Sequence, residues 1–271
     1  MALSPFQRTI CKLIAANRIE QGESYVAGGA ALNEFAGASR ISRDIDLFHD
    51  TETALRDTWH ADKVSLEQDG YEIRVKRNES SYVEAVVIKN DESVALQWTR
   101  DSAYRFFPLI AHDEFGLALH PFDLATNKVL ALVGRLEVRD WIDLMTCHDR
   151  IQRFGYLAWA APGKDPGLGP LFILEQAGRS ARYTHHDMEK MQFDGPPPDI
   201  ATLSRGWHAM RNEAIEIVKT LPPRHAGKCV LDHSGKLYTE TLEQLKKDLA
   251  SDQVFFHEGA IRGAYPQIIS A

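Results

Sequence analysis

The amino-acid sequence predicts a mixed α/β (α+β) fold: a mixed sheet with flanking helices, followed by a mainly helical C-terminal domain. Three observations predict it. A short apolar run at residues 25–27 meets Gly28 and Gly29 and then an amphipathic segment, as where a strand turns into a helix. Residues 71–99 hold three β-rich segments separated by Asn, Asp, Glu and Ser turn residues. Beyond residue 155, loops rich in Pro and Gly separate helical periodicities. The simplest division is a mixed α/β domain over 1–155 and a mainly helical one over 156–271.

In order, residues 5–20 read as an amphipathic helix that starts after Ser4-Pro5 and closes near Gly22. Residues 25–27 form the first strand, residues 30–36 a short helix ended by Gly37, and residues 44–48 a second strand. A helix from Thr51, its N-cap, runs to about Gly70, with Ala54, Leu55, Trp59 and Val64 at loose helical spacing. Segments 71–77, 82–89 and 93–99 are expected as consecutive antiparallel strands extending the first sheet. After Pro108, residues 115–119 suggest one more short strand. His120-Pro121 then leads into a strong helix carrying Leu124, Val129, Leu130 and Leu132. A break at residues 134–137 precedes a second helix from about Val138. Further helices are expected at 170–180, 200–220 and 239–250, with a small hairpin at 228–238 around Ser234-Gly235.

The bulk composition narrows the function classes. At 271 residues, 44% hydrophobic and 25% charged, the chain is an ordinary globular protein with a sizeable core. No apolar run approaches the roughly 20 residues of a membrane span, and the N-terminus lacks the organisation of a signal peptide. Cys11, Cys147 and Cys229 are odd in number and widely spaced, which fits a reducing cytoplasm rather than a disulfide framework or a zinc site. A formal charge of −7 excludes a uniformly basic nucleic-acid glove but allows a local basic patch.

Two stretches carry chemistry. In the first, Asp44 and Asp46 alternate with Ile45 and Leu47. Residues i and i+2 of a strand share a face, so the two carboxylates project together while Ile45 and Leu47 turn to the core. Adjacent carboxylates repel, and a hard cation such as Mg²⁺ removes that cost. Gly28 and Gly29 stand at a strand-to-helix turn, where backbone N–H groups can approach a phosphate. The plainer alternative is a βα unit whose acidic strand end faces water. In the second stretch, Lys128 lies among apolar neighbours and Arg135 follows two helical turns later on the same face. Asp140 and Asp143, three apart, share a face of the next helix. A lysine and an arginine so placed could hold a triphosphate; the plainer alternative is a charged surface helix.

The Gly-Gly turn followed by an Asp-x-Asp strand resembles the signature of the nucleotidyltransferase superfamily. The segment from Asp123 to Leu144 is similar to the second hallmark of the AbiEii/AbiGii toxin-type nucleotidyltransferases, a Lys-x-x-Ala-x-x-x-Arg helix followed by Arg-Asp-x-x-Asp-Leu. Here these are Lys128, Ala131 and Arg135, then Arg139, Asp140, Asp143 and Leu144. The two hallmarks span about residues 25–150, and the resemblance implies a polymerase-beta-like nucleotidyltransferase domain over 1–155. It implies Mg²⁺ on Asp44 and Asp46, nucleotide phosphates at Gly28 and Gly29, and the NTP triphosphate on Lys128 and Arg135. Asp140 would be the additional acid, acting on the incoming hydroxyl or supporting the metals. Asp143 would be structural, paired with Arg139. The implied reaction moves an NMP from an NTP to an acceptor, a tRNA 3′ end or another cellular target, and the implied partner is a cognate antitoxin.

One departure stands out: many such enzymes carry a third metal-binding acid on a later central strand, and here Gln97 occupies SVALQWT, with Asp101 just beyond. Gln97 favours one rival, a catalytically silent nucleotide-binding module. The net charge is compatible with another, a small-molecule adenylyltransferase of the aminoglycoside type. His185, His186 and Asp187 read as a solvated segment, because adjacent helical residues diverge. Lys164 does not fit the phosphate-loop spacing and reads as part of a flexible loop. The basic run Arg205, Arg211, Lys219, Arg224 and Lys228 reads as a solvated helix face ahead of an RNA contact. Trp207 and Tyr238 fit either a core or a stacking role.

Overall fold

The computed structural model describes residues 3–179 and 183–267. The chain divides into two compact units. One holds the chain up to Ala103 together with Pro108–His120; the other holds Tyr104–Phe107 and the chain from Pro121 onward.

In the first unit, α1 (Pro5–Gln21) begins where the sequence says it should. Ser4 and Gln7 form a reciprocal capping box, Pro5 fills the first turn, and Gly22 closes the helix at φ 74°. Strand β1 (Ser24–Ala27) is buried throughout and runs directly into α2 (Gly28–Ala36). The short β2 (Arg40–Ile41) precedes β3 (Asp44–His49), and α3 (Glu52–Gln68) follows, capped by the Thr51 hydroxyl. Then come β4 (Glu72–Glu79), β5 (Tyr82–Lys89) and β6 (Glu92–Arg100). The strand β7 (Tyr104–Arg105) belongs to the second unit, and β8 (Ile110–His112) and β9 (Gly116–Ala118) complete the first.

Seven of these strands form one sheet in the order β4-β5-β6-β3-β1-β9-β8. The antiparallel run β4-β5-β6 matches expectation. The run extends the first sheet as expected, and it joins it through β6, which lies parallel to β3. Such a pairing is set by packing across a long connection and leaves no local trace. Strand β8 was not foreseen; at three residues it is too short to show alternation.

One sheet face is core. Ile45, Leu47, Val83, Ala85, Val87, Val94, Leu96 and Trp98 are all buried, and α1 and α3 pack against the sheet. The alternating residues Asp44, Asp46, Phe48, Ala95, Gln97 and Glu84 are half-buried on the other face. A polar network ties the core together. The Asp62 carboxylate receives Arg18, Asn17 Nδ2 at 2.8 Å and Trp98 Nε1 at 2.8 Å. Arg18 also reaches Ser24, whose hydroxyl lies 3.0 Å from His49 Nε2. Burial, and then the charge of Arg18, push His49 down to about 3, so its ring is neutral.

The second unit is mainly helical. It contains α4 (Pro121–Arg135), α5 (Val138–Arg150), α6 (Phe154–Ala160), α7 (Pro170–Ala177), α8 (His185–Glu189), β10 (Gln192–Phe193), α9 (Ile200–Thr220), β11 (Cys229–Leu231), α10 (Leu242–Ala250), β12 (Phe255–His257) and β13 (Ala260–Ile261). The helix expected over 170–180 ends at Ala177, and residue 180 lies outside the described residues. The expected hairpin is only partly formed: Leu231 bridges Leu237, but the strand partner of β11 is β12. Helix α6 is buried on every side, and Gly155 lets it approach α9, since a Cβ there would sit 2.7 Å from Ile217. Trp207 and Tyr238 are core residues, 0% and 2% exposed.

Lys164, expected in a flexible loop, makes a buried ion pair. Its Nζ lies 2.8 Å from the buried Asp123 carboxylate, which also accepts the N–H groups of Phe106 and Phe107. The three cysteines are buried and unlinked. Among the described residues no helix is long and apolar enough to cross a membrane.

Candidate functional site

The first unit gathers Gly28, Gly29, Asp44 and Asp46. Ala27 pairs with Asp46 across β1 and β3, which brings the glycine turn level with the second aspartate. Gly28 adopts φ 64°, and a Cβ on it would lie 1.7 Å from Asp46 Oδ2. The carboxylate therefore rests on the bare Cα, a placement that only glycine permits. The α2 helix starts at this turn without a side-chain cap, leaving its first N–H groups to other acceptors.

Two residues outside the predicted set complete the surroundings. A Cβ on Gly29 would meet the Arg40 guanidinium at 2.7 Å and Ser42 Oγ at 3.1 Å. The Ser42 hydroxyl donates to Asp44 Oδ1 at 3.2 Å, its carbonyl accepts from Gln7 Nε2, and Asn33 holds the Arg40 carbonyl. The signal that could have found them is the same period of two. Residues 40, 42, 44 and 46 read Arg-x-Ser-x-Asp-x-Asp at a spacing of two, across a bend at Arg43 that separates β2 from β3.

As a cation site, this face has the right donor chemistry: two carboxylates two residues apart on one strand, as Mg²⁺ prefers. Gln97 pairs with Asp46 in the β3/β6 register, so the neighbouring strand offers an amide where a third acid would stand. Asp101 lies past the end of β6, accepting the Ser102 N–H at 2.8 Å. Among the described residues no three His, Cys, Asp or Glu side chains converge closely enough to form a complete metal cage. Two acids suit a magnesium ion that keeps several waters and takes its remaining ligands from substrate phosphates.

The second unit gathers Lys128, Arg135, Asp140 and Asp143. Leu136, at φ 54°, turns the chain between α4 and α5. Lys128 Nζ lies 2.9 Å from Asp140 Oδ1 and 3.0 Å from Asp143 Oδ2. Arg135 grips the same Asp140 with two hydrogen bonds, Nε at 2.6 Å and Nη2 at 2.9 Å. Arg139 lies 2.6 Å from Glu137, and Lys128 is one partner of Asp143. Burial alone would raise the pKa of Asp140. The hydrogen bonds of Arg135 and the charges of Lys128 and Arg135 outweigh burial and hold it below the usual carboxylate range. Lys128 is 7% exposed and Arg135 is 45% exposed, so one cation is fixed in the interior while the other reaches solvent.

The remaining charged candidates do not gather. His185 and His186 are exposed on the short α8. In the basic run, Arg211 bonds the Leu174 carbonyl, Lys219 pairs with Glu216 and Lys228 with Glu258.

No protein-family model matches the chain, and no curated protein matches it. Several solved structures resemble it in outline. JHP933 from Helicobacter pylori is 15% identical, over 80% of this chain and 95% of that one, with a TM-score of 0.49. A structure described as a nucleotidyltransferase from H. pylori is also 15% identical, over 79% and 95%, at 0.48. MenT4, a nucleotidyltransferase toxin from Mycobacterium tuberculosis H37Rv, is 14% identical, over 79% and 86%, at 0.44. Likeness at these identities and scores assigns neither family nor activity, and function rests on the side chains themselves.

Proposed function

We propose that this chain is a magnesium-dependent nucleotidyltransferase that moves a nucleoside monophosphate from an NTP to an acceptor hydroxyl. The observation that carries the reading is the Asp46 carboxylate seated on Gly28, with Asp44 on the same face and beside them a helix start whose N-cap residue, Ala27, supplies no side-chain bond. Metal-binding acids are thereby joined to a turn suited to phosphate.

In this reading Asp44 and Asp46 hold the ion, and the N–H groups at Gly28 and Gly29 take phosphate oxygens. When bound, the ion supplies Lewis-acid polarisation of the α-phosphate and offsets charge in the in-line transition state. Lys128 and Arg135 neutralise the pyrophosphate as it leaves. Asp140, clamped by both cations, is a weak proton acceptor in this state. Its service is to fix Lys128 and Arg135 for the nucleotide, and it acts on the acceptor hydroxyl only once a triphosphate has drawn those cations away. The acceptor we favour is an RNA 3′ end, tRNA included. The matching of residues 128–144 to the AbiEii/AbiGii toxin hallmark supports a toxin role with a cognate antitoxin.

The test is incubation of purified protein with each labelled NTP, Mg²⁺ and total RNA. Transfer that is abolished by Asp44→Ala and by Asp46→Ala is the expected result; transfer by either variant at the wild-type rate removes the metal assignment. A second reading, nucleotide binding without turnover, is favoured by Gln97 standing beside Asp46. It predicts NTP binding with no label transferred to any acceptor.

A further inference from the structure

The sheet register extends the candidate site one strand beyond Gln97. Asp46 on β3 pairs with Gln97 on β6, and Gln97 pairs with Glu84 on β5. Directly paired residues point to the same side of a sheet, so Asp46, Gln97 and Glu84 form a row across its half-buried face. Glu84 stands two strand spacings from Asp46, roughly 10 Å between backbones. Its orientation is fixed on that face: the Tyr82 hydroxyl, two residues along the same strand, donates to Glu84 Oε2 at 3.2 Å. The neighbouring cation, Arg77, lies 5.2 Å from the Tyr82 ring centroid and spends its guanidinium on Glu79, Nε–Oε1 2.8 Å.

At that distance Glu84 is not a direct ligand of an ion on Asp44 and Asp46, in keeping with the absence of a three-residue cage among the described residues. A magnesium or manganese ion on two carboxylates retains several waters, and those waters need acceptors. Gln97 offers an amide oxygen in the middle of the row, and Glu84 offers a carboxylate at its end. Groups at this remove commonly set metal affinity by tenfold or more.

Building on the nucleotidyltransferase reading, we propose that Glu84 is a positioning residue for the catalytic cation, accepting hydrogen bonds from its retained water through the Gln97 row. It supplies from β5, at one remove, the negative charge that β6 lacks.

Titration of the intact chain with Mn²⁺ alone, following free Mn²⁺ by its paramagnetic resonance signal, tests this without depending on turnover. Asp46→Asn is expected to lose the site, Glu84→Gln to weaken it about tenfold, and Glu84→Asp to recover part of the loss, all at an unchanged thermal midpoint. If Glu84→Gln binds Mn²⁺ like the wild type while Asp46→Asn does not, Glu84 has no role and the β3 site stands. If Asp46→Asn also binds like the wild type, no ion sits on β3, and the site reading falls together with the proposal. A Glu84→Gln loss accompanied by a lowered midpoint and no rescue by aspartate assigns Glu84 to folding and overturns the proposal.

Discussion

At the scale of the residue, the site turns on a contact between a side chain and a missing one. Asp46 Oδ2 occupies the space of a Gly28 Cβ, and Gly28 sits at φ 64°, so alanine there meets both a clash and an unfavourable backbone region. We expect Gly28→Ala to cost roughly 1–3 kcal/mol in urea unfolding and to lower label transfer as far as Asp46→Asn does, because the carboxylate must swing away. Transfer at the wild-type rate from a folded Gly28→Ala protein would show that this seat is dispensable. Lys128→Ala should weaken NTP binding with the fold intact, read by calorimetry. Unchanged affinity would remove Lys128 from the triphosphate. The aspartates and glycines were legible in the sequence because strand alternation and glycine turns are local. Arg40 and Ser42 were equally local, four and two residues before Asp44, yet no expected strand reached back to them.

At the scale of the element, the corner between α4 and α5 decides what the cations do. Helical periodicity places Lys128 and Arg135 on one face and Asp140 and Asp143 on another. It cannot say that the two faces meet, because the turn that folds them together depends on Leu136, a non-glycine residue at positive φ with no sequence signature. The same limit hid α6, whose all-round burial erases the amphipathic period, and the β11–β12 pairing, whose strands lie far apart in sequence. Breaking the corner has a computable cost. Removing one partner of a buried ion pair typically costs about 3–5 kcal/mol, but Arg135 is 45% exposed and Lys128 keeps Asp143 at 3.0 Å. Solvent screening and the remaining partner reduce the expected loss for Asp140→Ala to about 2–3 kcal/mol. Asp140→Asn, which keeps the shape and some hydrogen bonds, should lose less. Denaturant unfolding of both variants measures the difference, and equal stability of Asp140→Ala and wild type would show that the clamp is not a structural anchor.

At the scale of the molecule, the two units hold different acid-sensitive groups, and their pH responses should differ. His49, in the first unit, titrates near 3 when folded against an ordinary 6.5. Between those values the unfolded chain binds a proton that the folded unit refuses, so stability rises with pH through this window and falls as pH drops through it, by up to about 1.4 kcal/mol per pH unit. In the second unit, Asp140 is held below its ordinary 3.8, so its contribution is complete above that value and is lost only as pH falls through the lower folded value. His148, also in the second unit, is lowered mainly by burial and adds a loss in the same direction as His49. Hydrogen exchange read peptide by peptide from pH 7 to pH 4 should therefore show peptides of β1, β3 and β6 losing protection, and His49→Asn should flatten that dependence in the first unit alone. Loss of protection in these strands with the same pH profile in His49→Asn as in wild type would place the acid sensitivity elsewhere, with the Arg18–Asp62 pair as the next group to test.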